Sequence, residues 1–268
     1  MIAKPDGTKF VSGYECSGIS TLPVIGGGGS NCNAFVSKLT ASNSIAWTRS
    51  FGGPGGSNGG RIASDGGSGV ILFWGTGDNL FASTTTGDVA LSHLDANGAN
   101  DWNWQSGLSA EERSGYVETS SSGDIYISGT SDSDLFVMKV HRSGASMVTD
   151  WRTTTGSPSI DQVMDFNLQA DGTTFLSGYT LGIMTGSGAS APTGHDGYVV
   201  KIGANGSRAW TRQIHNGTTV DNTTIGIGGT GRLYATSWTA ADPTNTSHTF
   251  ALPALMLQEL NPSTGAIL

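Results

Sequence analysis

The sequence is poor in charge and lacks the features of proteins that bind nucleic acids or cross membranes. Only 13% of its 268 residues are charged, and the net charge is −8. Phosphate binding needs clustered Lys and Arg, and the absence of such clusters argues against nucleic acid and an anionic membrane surface as partners. No apolar run approaches the roughly 20 residues that span a bilayer, so we expect no membrane insertion. The N-terminus MIAKPDGTKF has no apolar signal segment.

The common catalytic and cofactor-binding motifs are also missing. The sequence has no G-x-S-x-G, H-E-x-x-H, Walker or C-x-x-C pattern. Its glycine runs, IGGGGS and FGGPGGSNGG, precede no predicted helix, so they do not indicate a phosphate site. In the repeats described below, the first segments, which would face a central channel, offer only Glu118 and Asp165 as carboxylates, too few for glycosidase chemistry. We therefore predict no catalytic residue and no cofactor.

What the chain does contain is an internal repeat. The segment DGYVVKIGANGSRAWTR at 196–212 repeats NAFVSKLTASNSIAWTR at 33–49 without a gap. More divergent copies begin at Asp88, Asp134 and Ala254, so the five copies lie roughly 46 to 62 residues apart. This spacing is typical of propeller blades.

Each repeat divides into four short apolar segments separated by turn residues. The segments are rich in Val, Ile, Phe, Tyr and Trp and are 4 to 8 residues long, which favours strands over helices. We predict an all-β fold, a β-propeller of four-stranded antiparallel blades, with five blades in one domain over 1–268. The predicted blades cover about 1–52, 53–107, 108–156, 157–216 and 217–268.

The repeat resembles the SBBP repeat, a β-propeller repeat found largely in bacterial extracellular and cell-surface proteins. The resemblance rests on DIYISGT with DLFVMKV, on DGYVVKIGANGSRAW and on NAFVSKLTASNSIAW. It implies a propeller fold but no shared catalytic residue. The family name refers to seven blades, whereas five repeats occur here, and the last lacks the Asp and Trp. Either a closed five-bladed ring or a piece of a longer polypeptide fits this count.

The lengths of the loops suggest where function lies. The turns inside each hairpin are tight, whereas the loops between the second and third segments vary widely. The longest such loops cover 15–31, 77–87, 182–195 and 239–253. Binding residues often lie on variable loops of a rigid scaffold, so this face is the predicted surface for a protein or glycan partner. Neutral variation of loop length is the alternative.

Four aromatic residues lie where the second segment enters these loops and are candidates for ligand or partner binding: Tyr14, Trp74, Tyr179 and Trp238. They could form platforms for sugar rings or anchors in an interface. Burial between blades is the alternative for each. The tryptophans of the repeat itself are interpreted as packing residues: Trp47, Trp102, Trp151 and Trp210.

Acidic residues occur at two recurrent places. Glu112, Asp161 and Asp221 lie in the crossovers between repeats and are weak candidates for a shared cation site, with calcium the metal considered. No calcium-loop spacing supports them, so solvated loop carboxylates are the favoured alternative. The recurrent aspartates at the start of the third segment are expected to hydrogen-bond loop backbone: Asp88, Asp134 and Asp196.

Cys16 and Cys32 are the only cysteines, and both belong to the first long loop. A disulfide between them is favoured over two free thiols, and it would require an oxidising compartment. Four sequons are possible N-glycosylation sites in a secreted eukaryotic protein: Asn205, Asn216, Asn222 and Asn245. Together these residues predict an extracellular or cell-surface location.

Two functions follow from these observations. The first is a non-catalytic extracellular module that presents its loop face to a protein or glycan, in a larger assembly. The alternative is a glycosidase-like, carbohydrate-active enzyme that uses acidic residues at the mouth of the propeller's central channel.

Overall fold

The computed structural model describes residues 1–16, 24–26, 32–82, 87–108, 112–189, 194–214, 220–241 and 249–268. Across these ranges the secondary structure consists of strands, so no described helix could cross a membrane. The strands are β1 (Ile2–Ala3), β2 (Lys9–Glu15), β3 (Val24–Ile25), β4 (Asn33–Leu39), β5 (Ile45–Phe51), β6 (Ser57–Ser64), β7 (Val70–Thr76), β8 (Asp88–Leu94), β9 (Asn100–Gln105), β10 (Glu112–Thr119), β11 (Ile125–Ser131), β12 (Asp134–Ser143), β13 (Ser146–Thr155), β14 (Asp161–Leu168), β15 (Thr174–Thr180), β16 (Asp196–Ile202), β17 (Arg208–Ile214), β18 (Val220–Ile227), β19 (Leu233–Ala241) and β20 (Thr249–Leu260).

The strands form one sheet per repeat. The second, third and fourth sheets have four strands in sequence order, β6 to β9, β10 to β13 and β14 to β17. The first has the order β1-β2-β4-β5-β3, with β3 parallel to β5. The expectation of four strands in every repeat is wrong for the last sheet, which contains β18, β19 and β20. There the fourth segment makes only an isolated bridge between Leu260 and Ile267.

The chain divides into two compact units. Unit 1 comprises Met1–Asp132 and Val140–Val148, and unit 2 comprises Ser133–Lys139 and Thr149–Leu268. Apolar side chains from neighbouring sheets form the core inside each unit. In unit 1, Val36 of the first sheet packs with Leu72 of the second. In unit 2, Val199 of the fourth sheet packs with Leu233 of the last.

The repeated Lys, Trp and Arg join one sheet to the hairpin turn of the next. Lys38 Nζ and Trp47 Nε1 both donate to the carbonyl oxygen of Ala96, at 2.9 and 3.2 Å. Arg49 Nε donates to the carbonyl oxygen of Gly98 at 2.8 Å. All three side chains therefore bind one turn, which explains why they recur together.

The same joint recurs in unit 2. Lys201 and Trp210 donate to the carbonyl oxygen of Pro262, and Arg212 donates to that of Gly265. Trp151 donates to the carbonyl oxygen of Ala204. The packing interpretation therefore holds at Trp47, Trp151 and Trp210, which form the joint between blades, whereas Trp102 stacks on the His93 ring of its own sheet.

Candidate functional site

A bulge in the first strand of the second and third sheets sets the direction of two neighbouring side chains. The pairing of β6 with β7 shifts between Gly59 and Arg61, and that of β10 with β11 shifts between Ser114 and Tyr116. A bulge adds one residue to a strand and re-aims the side chain beside it. Gly60 has a φ of 128°, and a Cβ there would lie 2.3 Å from the carbonyl oxygen of Gly13. Glycine is therefore required at this bulge.

Arg61 and Tyr116, the residues that follow the two bulges, meet in one cleft of unit 1. The Arg61 guanidinium carbon lies 4.5 Å from the centroid of the Tyr116 ring, a cation–π contact. Tyr14, which is 61% exposed, lines the same cleft. The cleft has a volume of about 460 Å³, and its other lining residues are Met1, Ser12, Gly13, Gly59, Gly60, Ile62 and Val117. We call it the Tyr14 cleft.

Arg61 and Tyr116 were missed by sequence reasoning. Each occupies the position after the bulge in the first strand, where the fourth sheet has Asp165 and the last has Thr224. This position differs from copy to copy, whereas the scaffold positions repeat. A search for positions that vary within an otherwise regular strand would have found them.

The other aromatic candidates differ in their surroundings. The binding role predicted for Trp74 is wrong, because its ring is 0% exposed in the core of unit 1 and its Nε1 donates to Ser92 Oγ. Tyr179 stacks on the His195 ring, with centroids 4.6 Å apart, so one face of its ring is already covered. Trp238 is 51% exposed. Only Tyr14 and Trp238 therefore offer substantial free surface among the four.

The two predicted cysteines form a disulfide, which confirms that expectation. Cys16 and Cys32 line a cavity of about 520 Å³ in unit 1 together with Glu112 and Arg113. Glu112 is buried and its backbone N–H donates to the carbonyl oxygen of Gly87. The favoured alternative, a solvated loop carboxylate, is therefore wrong for Glu112.

Asp161, the equivalent residue in unit 2, is buried as well. Its carboxylate accepts hydrogen bonds from the Ser157 backbone N–H at 2.6 Å and from the Ser157 hydroxyl at 3.0 Å. Burial raises the pKa of Asp161 above its ordinary value, and the nearby Asp134 carboxylate raises it further, against the opposing hydrogen bonds from Thr180 and Ser157. Asp161 anchors the crossover that leads into β14.

The predicted cation site among Glu112, Asp161 and Asp221 is not tested by the described residues. Glu112 and Asp161 belong to different compact units, and the side chain of Asp221 lies outside the described part of the chain. No group of three or more His, Cys, Asp or Glu residues that could hold a metal occurs within the described ranges. Calcium binding therefore stays a prediction from the sequence.

Two of the three recurrent aspartates at the start of the third strand, Asp88 and Asp196, bind a glutamine side chain, which the expected backbone contact did not include. Gln213 Nε2 donates to Asp196 Oδ2 at 2.7 Å and to the carbonyl oxygen of Gly182. Its Oε1 accepts from the Met184 backbone N–H. Asp88 and Gln105 repeat this arrangement in unit 1, at 2.6 Å. The Asp–Gln pair thus fixes two of the long loops, the one that contains Leu80 and the one that contains Met184.

Of the four sequons, Asn205 lies exposed in the turn between β16 and β17, where its Oδ1 accepts from the Ser207 N–H. Asn216, Asn245 and the side chain of Asn222 lie outside the described residues. Use of these sequons stays a prediction.

No family model matches the chain, and no curated protein matches it in sequence, so membership in the SBBP repeat family is not shown. Solved structures do match. An ulvan lyase of polysaccharide lyase family PL25, bound to -[GlcA(1-4)Rha3S]-, aligns with a TM-score of 0.58 and 12% identity over 99% of this chain and 69% of the lyase. A puromycin hydrolase S511A mutant complexed with PGG aligns with a TM-score of 0.53 and 12% identity over 100% of this chain and 36% of the hydrolase.

Likeness at this identity concerns the fold alone. The lyase is a β-propeller-type protein, and its match extends over almost the whole of this chain. With the antiparallel sheets and the joints between them, this match supports a β-propeller fold for the chain.

Proposed function

We propose that this protein is a carbohydrate-active β-propeller that binds an acidic polysaccharide in the Tyr14 cleft. The observation that carries the proposal is the Arg61 guanidinium placed over Tyr116 beside the exposed Tyr14. Arginine suits carboxylate and sulfate groups because its planar fork donates two parallel hydrogen bonds. An exposed aromatic ring gives the apolar face of a sugar a surface on which to stack.

The size and environment of the cleft support the same ligand. About 460 Å³ lies within the range of small-ligand sites and accommodates a short stretch of a glycan. The molecule as a whole is acidic, with a net charge of −8, so Arg61 is the local cation that would attract an acidic sugar. The lyase, which has a similar fold, is bound to a glucuronate-bearing ligand in its solved structure, so a fold of this kind can hold a ligand of this class.

Elimination is the second candidate function, favoured over hydrolysis by the residues in the cleft. Paired carboxylates are needed for glycoside hydrolysis in most families, and the described residues that line the Tyr14 cleft include none. An elimination instead removes a proton next to the uronate carboxylate. Arg61 would neutralise that carboxylate. The oxygen of Tyr14 or Tyr116 would accept the C5 proton while its own hydroxyl proton passes to the glycosidic oxygen, so that the C4–O bond breaks as the C4–C5 double bond forms.

Binding is tested by titration calorimetry with a polyuronate, using a neutral polysaccharide of matched length as the control ligand. We expect R61A to weaken polyuronate binding at least about tenfold, and R61K to recover only part of it. R232A, which removes an exposed arginine of unit 2, should leave binding unchanged. Equal binding of both polysaccharides, or an R61A variant that binds like the wild type, would contradict the proposal.

Elimination is tested separately by the ultraviolet absorbance of the unsaturated uronate product. Binding without this signal would retain the glycan-binding function and reject the enzyme. The disulfide supports an extracellular or cell-surface location, since it requires an oxidising compartment.

A further inference from the structure

Two cavities of unit 1 lie one after the other along the same strands. The cavity of about 520 Å³ beside the disulfide, which we call the disulfide cavity, adjoins the Tyr14 cleft. On β6, Asn58 lines the disulfide cavity and the next residue, Gly59, lines the Tyr14 cleft. On β10, Arg113 lines the disulfide cavity, and Tyr116 lines the Tyr14 cleft. The two cavities are therefore consecutive stretches of one groove.

The disulfide cavity contains a buried hydroxyl that binds no other group of the protein. Ser57 lines this cavity and is only 5% exposed, and its Oγ has no hydrogen-bond partner among the described residues. Its backbone N–H donates to the carbonyl oxygen of Cys32 at 2.7 Å, which fixes Ser57 beside the disulfide. Buried polar groups are normally hydrogen-bonded, so a group that enters the cavity can supply the bond that Ser57 lacks.

A second unpartnered group lies next to Ser57. Asn33 Oδ1 is buried without a hydrogen-bond partner in the described part of the chain. A Cβ at Gly52 would lie 2.1 Å from Asn33 Oδ1 and 3.1 Å from Ser57 Oγ, so both atoms face the same point. The cavity therefore ends in two polar groups that can each bind a ligand hydroxyl.

The second and fourth sheets fill the equivalent position with the Asp–Gln pair. Asp88 begins β8 and binds Gln105, which lies three residues after the repeated tryptophan. In the first sheet the corresponding residues are Asn33 and Ser50. Serine is too short to replace the glutamine, and Ser50 Oγ is also buried without a partner among the described residues. The polar gap is thus a departure from the pattern of those two sheets.

The two stretches of the groove differ in charge. The described lining residues of the Tyr14 cleft include Arg61 and no carboxylate. The disulfide cavity has one charge of each sign and several neutral polar side chains: Glu112, Arg113, Ser57, Asn58 and Thr76. An acid group there would gain no net attraction and would lose its hydration. A sugar hydroxyl both donates and accepts, so this mixture of groups suits a neutral sugar.

We propose that the groove binds a polysaccharide in which acidic and neutral sugars are neighbours. The acidic sugar occupies the Tyr14 cleft, and the neutral sugar occupies the disulfide cavity. Ser57 determines specificity, because its hydroxyl gains its hydrogen bond from the bound neutral sugar. This inference rests on the proposed glycan binding in the Tyr14 cleft, and it names the class of glycan.

The test is titration calorimetry of the full chain with two tetrasaccharides. One contains uronates only, and the other alternates glucuronate with the neutral sugar N-acetylglucosamine. We expect the wild type to bind the alternating tetrasaccharide roughly fivefold more tightly, the effect of about one additional hydrogen bond. S57A should remove this preference, whereas S122A, which removes a hydroxyl from an exposed hairpin turn of unit 1, should retain it.

Urea unfolding separates binding from folding. Because the Ser57 hydroxyl has no partner to lose among the described residues, S57A should be as stable as the wild type. The preference of the wild type tests the proposal without any variant.

R61A distinguishes this inference from the proposed function. It should weaken the binding of both tetrasaccharides, and an R61A variant that binds both like the wild type would reject the glycan site itself. If R61A weakens both but the wild type has no preference, or if S57A keeps the preference, the disulfide cavity does not bind the neutral sugar and this inference alone is wrong.

Discussion

In three hairpin turns, a glycine lets a tryptophan of the preceding blade pack directly on the turn. Gly98 has a φ of 79°, and a Cβ there would lie 2.8 Å from the Trp47 ring. Gly206 and Gly265 have the same relation to Trp151 and Trp210. Two separate effects therefore select glycine, the left-handed backbone and the absence of space for a side chain.

These two effects can be separated with a matched pair of substitutions. Gly123 has a φ of 88° with nothing within 4 Å of its virtual Cβ. G123A should therefore lose about 1–2 kcal/mol of unfolding free energy from the backbone alone. G98A should lose roughly 1–3 kcal/mol more, because the methyl group displaces the indole. Urea unfolding measures both, and equal losses would show that the packing contributes nothing.

Asp161 predicts a pH dependence of stability. Burial raises its pKa above the ordinary value of 3.8, so the folded protein holds a proton that the unfolded chain releases. Unfolding free energy attributable to this group therefore falls as the pH rises from 3.8 through the raised pKa. We expect D161N to gain stability relative to the wild type across that window, as measured by urea midpoints at successive pH values.

D6N is the control for this experiment, because the expected change of its stability with pH has the opposite sign. Hydrogen bonds from the Thr8 hydroxyl and backbone N–H lower the pKa of the exposed Asp6. D6N should therefore lose stability relative to the wild type as the pH rises through the ordinary carboxyl range. Parallel pH profiles for D161N and D6N would refute the assignment of a raised pKa to Asp161.

At the scale of the elements, the Asp–Gln pair connects strands to loops. Gln213 joins β17 to Asp196 at the start of β16 and to the loop that contains Met184. Q213E would place a second carboxylate against Asp196 in a buried site. We expect the unfolding free energy, measured with urea, to fall by about 3 kcal/mol or more. Hydrogen exchange at the Met184 amide should be faster.

The reciprocal substitution tests whether the pair itself is responsible. D196N combined with Q213E restores a donor and an acceptor at the same positions. The double variant should therefore be more stable than Q213E alone. If the loss in the double variant equals the sum of the losses in D196N and Q213E, the hydrogen bond between the two residues is not the cause.

The elements differ in how far the sequence predicts them. The strands and the packing role of Trp47 and Trp210 follow from the repeat, because a scaffold position must repeat wherever the same joint is built. The Tyr14 cleft does not follow from the repeat, because Arg61 and Tyr116 meet only through bulges that shift the register by one residue. The burial of Trp74 does not follow from the sequence either. Its segment VILFWGT has no alternation of apolar and polar residues that would distinguish a buried side chain from an exposed one.

At the scale of the whole molecule, the disulfide belongs to one compact unit. Cys16 follows β2 and Cys32 precedes β4, so the bond closes the loop between two paired strands of unit 1. Blades contact mainly their neighbours, and the stability of such repeats is largely a sum of local contributions. Reduction should therefore act most strongly where the bond lies.

Replacing both cysteines, C16S with C32S, should lower the unfolding free energy of unit 1 by roughly 3 kcal/mol. Hydrogen exchange should accelerate in β2 and β4, while β15 and β16 of unit 2 keep the protection that they have in the wild type. The wild type treated with a reductant should reproduce this pattern, which separates loss of the bond from effects of the serine side chains. Uniform acceleration across both units would show instead that the chain unfolds as a single cooperative body, in which the disulfide stabilises every blade equally.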